Sequence, residues 1–190
     1  MPPPTSATLV LASRSPQRRA ILEQLGVAFD AVVSDAEELA DGDPVEVAVE
    51  NALRKARAVP AAGAPVLGVD TVVVLDGAVY GKPADAAAAR ATLERLSGRV
   101  HEVVSGLAVA EAGETRTASA TTRVAFRALD AATLDWYLAT EEWRERAGGY
   151  AIQGRGAALV ERIDGDYLNV VGLPVSALLA LLPGILQPAS

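Results

Sequence analysis

The chain has 190 residues, of which 51% are hydrophobic and 22% charged, with a formal net charge of −7 and no cysteine. That length suits one ordinary domain or two tightly fused lobes, and the composition can build a core, which excludes a disordered chain. The acidic balance disfavours long nucleic acid as a partner, because phosphate binding needs a basic field, yet it permits a small phosphate ligand in a locally basic cleft.

Without cysteine there are no disulfides, thiolate metal ligands or cysteine nucleophiles. The opening "MPPPTSATLVLAS" lacks the basic region and long apolar stretch of a signal peptide. The apolar "VSALLALLPGIL" is broken by Pro183 and is too short to span a bilayer. The cytoplasm is the expected compartment, with no membrane partner.

After a lead-in at residues 1–7, the first predicted strand covers Thr8 to Ala12. Ser15 as N-cap and Pro16 at the first helical position start a helix that ends near Leu25, at Gly26. "FDAVVSD" reads as a second strand. Asp43-Pro44 opens a helix from about Val45 to Val59, with Val45, Val49, Ala52, Leu53 and Ala56 expected inward. The valine-rich "APVLGVDTVVVL" is a central buried strand, turned at Asp76-Gly77 into a short return strand. "DAAAARATLERLSG" is a helix closed by Gly98, and residues 100–129 form two long strands joined at "EAGE". A helix capped by Asp130, a strand over "AALVERI", the turn "DGDY" and a last helix from about Pro174 complete the chain. Strands and helices mix without strict alternation, which predicts α/β with a mixed sheet.

Four features carry chemistry. In "LASRSPQRRAIL" a strand end meets a capped helix start and three arginines, Arg14, Arg18 and Arg19. This is either a phosphate cradle without P-loop glycines or a capped helix with solvated arginines. Asp70 interrupts a valine strand, where an ionised carboxylate needs a partner, a metal or the open strand end; Thr71 adds a second polar group. Lys82 in "GKPAD" sits on a stiff loop, as a phosphate contact or as a surface lysine. Glu38 reads as a metal ligand or an exposed loop acid, and Lys55 as a site cation or a solvated helix lysine. Gln153 in "GGYAIQG" offers a donor and an acceptor together, suited to a base edge or to backbone pairing in a loop. His101 reads as structural, and Trp136 and Trp143 as packing residues. No Walker loop, HExxH or zinc spacing is present.

Seven segments in order, "LASRSPQRRAILEQLG", "AEE", "NALRKARA", "GVDTVVVLDGAVYGKP", "LSGRVHEVVSGLAV", "AGGYAIQG" and "DYLNVVGLP", resemble the Maf family of nucleoside triphosphate pyrophosphatases. The resemblance implies an elongated α/β fold with a mixed sheet and flanking helices, two lobes around a cleft, similar to inosine-triphosphate pyrophosphatases. It implies one Maf-like domain over residues 1–190 and hydrolysis of a nucleoside triphosphate to the monophosphate and pyrophosphate, with Mg²⁺ or Mn²⁺. Ser13, Arg18, Lys55 and Lys82 match its substrate-binding residues, and Asp70, Glu38 and Lys82 its catalytic set, with Glu38 and Asp70 as metal ligands. Thr71 and Gln153 match the members that favour dTTP and UTP rather than methylated GTP. The edge of uracil or thymine offers acceptor, donor, acceptor, and one amide can pair with two of these.

Gln17 stands where the pyrimidine subgroup usually carries arginine, at a position tied to specificity, and Asp166 stands where "GSY" is usual. The expected partner is a small-molecule nucleoside triphosphate, not nucleic acid, and a homodimer is compatible with the pattern. Two other readings remain: a nucleotide-binding regulator of septum formation without essential catalysis, and a pyrophosphatase preferring modified nucleotides.

Overall fold

The computed structural model describes residues 9–60 and 63–186. The expected lead-in at residues 1–7 and the Thr8 start of the first strand lie outside the described residues. The fold is mixed α/β, a central sheet flanked by helices, as the pattern predicts. The sheet has seven strands in the order β2-β1-β3-β5-β6-β7, with β4 paired to β3: β1 is Leu9–Ala12, β2 Phe29–Val32, β3 Val66–Leu75, β4 Ala78–Tyr80, β5 Val100–Glu111, β6 Glu114–Phe126 and β7 Val160–Asp164. β1 runs parallel to β2 and β3, while β4 on β3 and β7 on β6 are antiparallel.

The chain divides into two compact units. The first takes the chain up to Asp70, Ser105–Ala120 and the chain from Gly172 onward. Here β1 is buried along its whole length and leads directly into α1, Pro16–Gln24. The Ser15 hydroxyl caps α1 by accepting the Arg18 N–H at 3.4 Å, and Gly26 takes φ 70° just past its end. Asp43 caps α2, Pro44–Ala58, by accepting the N–H groups of Val45 and Glu46.

α2 lies on the sheet through glycines. A methyl built on Gly68 would overlap the Ala52 carbonyl oxygen and lie 2.7 Å from the Ala56 nitrogen, and one on Gly106 would overlap the Ala48 backbone. This contact bears out Ala52 and Ala56 as inward and corrects the expectation for Val45 and Val49. The buried residues of α2 are Val47, Ala48, Asn51, Ala52 and Ala56, whereas Val45 is exposed and Val49 and Leu53 are half-buried. Alanines 48, 52 and 56 meet the glycines, where Val45 or Val49 would not fit so close an approach, and Val47 is the one valine of the helix that is buried.

The second unit takes Thr71–Val104 and Thr121–Val171. The Asp76-Gly77 turn, with φ 51° and 78°, closes the β3–β4 hairpin as expected. Its core joins Val73, Leu75, Leu93, Leu96, Phe126, Tyr137, Trp143 and Tyr150 under α3, Ala86–Leu96, and α4, Ala131–Leu138. Three expectations change. Trp143 is buried at 3%, but Trp136 is 47% exposed, on the open face of α4. Residues 157–159 belong to a 3-10 turn, Arg155–Leu159, so β7 starts only at Val160. Tyr167 begins a short helix, α5, Tyr167–Val171, because Asp166 accepts the Leu168 N–H at 2.8 Å. The last helix, α6, is Val175–Leu181, with Pro174 as N-cap.

Candidate active site

Asp70 ends the buried first half of β3 and is itself only 7% exposed. A carboxylate there must be compensated, and α2 supplies the partners. Lys55 Nζ lies 2.7 Å from Asp70 Oδ1, and Asn51 Nδ2 donates to Asp70 Oδ2 at 3.0 Å. Residues 51 and 55 are one helical turn apart, so both reach the same strand position. Lys55 also lies 2.8 Å from Glu38 Oε1, on the loop between β2 and α2. The lysine is therefore not solvated: its side chain is 12% exposed.

That loop is tied down by the same helix. Asn51 accepts the Leu39 N–H at 2.7 Å with its oxygen and donates to the Leu39 carbonyl at 3.0 Å with its nitrogen. Arg54 donates to the Glu37 carbonyl at 3.3 Å. Asn51, 2% exposed, thus fixes Asp70 and the residue after Glu38 with one side chain. Sequence reading passed over it within "NALRKARA". The signal was an amide on a helix face that the pattern asks to be apolar.

The three arginines after β1 separate. Arg14 is an exposed partner of Asp35 at 3.3 Å, and Arg19 is half-buried. Arg18 is the buried one, 9% exposed, donating to the Gly172 carbonyl at 2.9 Å and to Ser13 Oγ at 3.1 Å. Gln17 Oε1 accepts from the Ser15 hydroxyl at 3.0 Å.

The electrostatics follow from this packing. Burial lowers the proton affinity of the Arg18 guanidinium, and the charges of Asp70 and Glu38 only partly oppose it. For Asp70, burial pushes the carboxyl pKa up, but the Lys55 charge, hydrogen bonds from Lys55 and Asn51, and the Arg18 charge leave it below the ordinary value. Asp70 is a fixed anion at neutral pH. Two carboxylates, Glu38 and Asp70, meet on one ammonium, and such a hard-oxygen pair suits Mg²⁺ or Mn²⁺ when water and phosphate oxygens complete the shell. No group of three or more metal-ligating side chains occurs among the described residues, so an all-protein cage is not what this pair builds.

The remaining predicted residues belong to the second unit. Lys82 is exposed and pairs with Glu145 at 3.0 Å. Thr71 is the one half-buried residue of β3. Gln153 is exposed on a loop between the 3-10 turn Ala147–Gly149 and that at Arg155–Leu159.

The first unit thus sets two little-exposed cations, Arg18 and Lys55, close to the anchored carboxylate of Asp70. The Maf-like protein family model matches residues 8–185. The chain belongs to the Maf family. Its relatives include proteins named dTTP/UTP pyrophosphatase from Symbiobacterium thermophilum, 47% identical over 92% of both chains, and from Pyrococcus furiosus, 42% identical over 92% of this chain and 93% of the relative. A third with that name, from Deinococcus radiodurans, is 44% identical over 97% of this chain and 96% of its own. Among the described residues of this Maf chain no helix is long and apolar enough to cross a membrane.

Proposed function

We propose that this chain is a nucleoside triphosphate pyrophosphatase that hydrolyses dTTP and UTP to the monophosphate and pyrophosphate, working as a single Maf-like domain. The observation that carries the chemistry is the buried Asp70 held by Lys55 and Asn51 beside Glu38 and Arg18. The base preference rests on the names of the relatives and on Thr71 and Gln153.

In this reading water attacks the α-phosphorus, the bond from that phosphorus to the bridging oxygen breaks, and pyrophosphate leaves. Asp70, always ionised at neutral pH, accepts a hydrogen bond from the attacking water, aligns it and receives its proton. Glu38 and Asp70 would hold a divalent cation, Mg²⁺ or Mn²⁺, which when bound would supply Lewis-acid neutralisation of charge on the phosphate oxygens. Arg18 and Lys55 draw off further charge, Ser13 keeps the Arg18 fork oriented, and Lys82 exchanges Glu145 for a phosphate oxygen. Gln153 reads the pyrimidine edge, with Thr71 and Gln17 adjusting the preference. The partner is the small nucleotide, and the net charge of −7 supports neither nucleic acid nor an anionic membrane surface as a ligand.

Pyrophosphate release from dTTP, UTP, CTP, GTP and ATP, with Mg²⁺ and with excess chelator, tests the proposal. Faster turnover of dTTP and UTP that chelator removes is the expected result. A preference for purines would overturn the base assignment, and no release from any nucleotide would overturn the activity.

A further inference from the structure

The loop that carries Gln153 is held from both sides by α4 and the turn after it. Upstream of Gln153, the Ala151 N–H donates to the Tyr137 hydroxyl at 2.9 Å, and Tyr137 is fully buried. Downstream, the Arg155 N–H donates to Glu142 Oε2 at 2.7 Å. The Glu142 carboxylate lies close against the loop: a Cβ on Gly154 would sit 2.5 Å from Oε2 and 3.1 Å from Oε1. Glu142 is itself seated, because its N–H donates to the Thr140 hydroxyl, which donates to the Tyr137 carbonyl. Within the loop the Gly154 N–H closes onto the Ala151 carbonyl at 3.0 Å. Ala151 and Ile152 are buried in this frame, and the exposed stretch Gln153, Gly154 and Arg155 begins with the Gln153 amide side chain.

From this frame we infer that Glu142 is a positioning residue for base selection: its carboxylate, anchored on the Arg155 N–H and pressed on Gly154, fixes the direction in which Gln153 presents its amide. The inference rests on the proposed reading of the base by Gln153. An amide that must pair with a donor and an acceptor at once needs a fixed plane, whereas holding a phosphate does not. Freeing the loop therefore costs discrimination between bases before it costs turnover.

The experiment measures kcat/KM for UTP, CTP and GTP in the wild-type protein and in the Glu142→Ala, Glu142→Gln, Glu142→Asp and Gln153→Ala variants, with thermal melts of each. Gln153→Ala should lower the UTP preference about tenfold, the discrimination available from one well-made hydrogen bond. Glu142→Ala should lower it by a similar factor while kcat for UTP changes little, and a protein carrying both Glu142→Ala and Gln153→Ala, measured alongside, should lose no more than either alone. Glu142→Gln keeps an oxygen at the right reach for the Arg155 N–H and should retain the preference. Glu142→Asp keeps the charge but falls short, and should not; it also serves if Glu142→Ala does not fold. An equal fall in kcat/KM for all three nucleotides, or a preference lost in Gln153→Ala but intact in Glu142→Ala and Glu142→Asp, overturns the role of Glu142 alone. An unchanged preference in Gln153→Ala overturns the base reading and the role of Glu142 with it.

Discussion

Gly68 and Ala52 set the distance between the sheet and the helix that carries Asn51 and Lys55. The Ala52 carbonyl oxygen occupies the space that a side chain at residue 68 would need, and the Ala56 nitrogen lies 2.7 Å from the same point. Both obstacles are backbone, which cannot rotate away. Two residues further along β3 stands Asp70, so the close approach that glycine permits is also what brings Lys55 to 2.7 Å from that carboxylate.

Gly68→Ala should therefore push α2 off the strand. Overpacking of this kind costs about 3 kcal/mol, or about 10 °C in melting temperature for a domain of this size. Turnover should fall as well, because Lys55 and Asn51 ride on the displaced helix. A melting temperature and a kcat equal to wild type would show that the helix adjusts without consequence.

Asp70→Asn should keep the fold and abolish turnover. The amide is nearly isosteric, and Glu38 remains at 2.8 Å to neutralise Lys55. Loss of a positioned general base costs about 10²–10⁴-fold in rate. Chelator should likewise stop the wild-type enzyme, with Mg²⁺ or Mn²⁺ restoring it. Circular dichroism with a pyrophosphate assay decides the matter: an active Asp70→Asn protein, or full activity in excess chelator, contradicts the mechanism.

Asn51→Ala removes a donor from Asp70 Oδ2 and both hydrogen bonds to Leu39. A hydrogen bond to a charged group is worth about 1.5–3 kcal/mol, so kcat/KM should fall about tenfold or more. Asn51→Asp, close in shape, sets an anion against Asp70 and should be the worse of the two. Steady-state rates ordered the other way would mean that Asn51 serves the fold and not the carboxylate.

Local signals carried much of this molecule. Ser15, Asp43 and Asp130 announce their helices because an N-cap is a short-range device, and Asp76-Gly77 announces its hairpin for the same reason. Asp70 was legible because a carboxylate in a valine strand breaks a pattern. The face of α2 was legible only at Ala52 and Ala56. Its inward residues are set by glycines at 68 and 106, distant in the chain, and hydrophobic periodicity favours valine over alanine wherever it cannot see a close approach. Asn51 and Glu142 were missed for a related reason. Each acts by gripping backbone at Leu39 or Arg155, and a grip on backbone leaves no mark on the residue that is held.

His101 gives the stability of the protein a pH dependence of known sign. It is 1% exposed, with Nε2 2.9 Å from the Tyr150 hydroxyl and its ring edge-on to Phe126 and Tyr150, 4.9 and 5.5 Å between centroids. Nδ1 is buried without a hydrogen-bond partner. Burial therefore lowers its pKa from 6.5 to about 4, because the imidazolium would lose its hydration. Above pH 6.5 neither the folded nor the unfolded chain holds the extra proton, and the group contributes nothing. As the pH falls below 6.5 the unfolded chain takes up a proton that the folded protein refuses, so stability drops until the folded pKa is passed. The loss between pH 7 and pH 5 should be about 2 kcal/mol. Asp70 also destabilises the fold in acid, but that loss begins only as the pH nears the ordinary carboxyl value of 3.8 and runs on below it, because the folded pKa is lowered. Urea unfolding at the two pH values, in wild type and His101→Gln, isolates the histidine. The substitution should remove most of the difference; a wild-type protein equally stable at pH 5 and pH 7, or a variant with the same slope, would show that His101 is not the group that titrates.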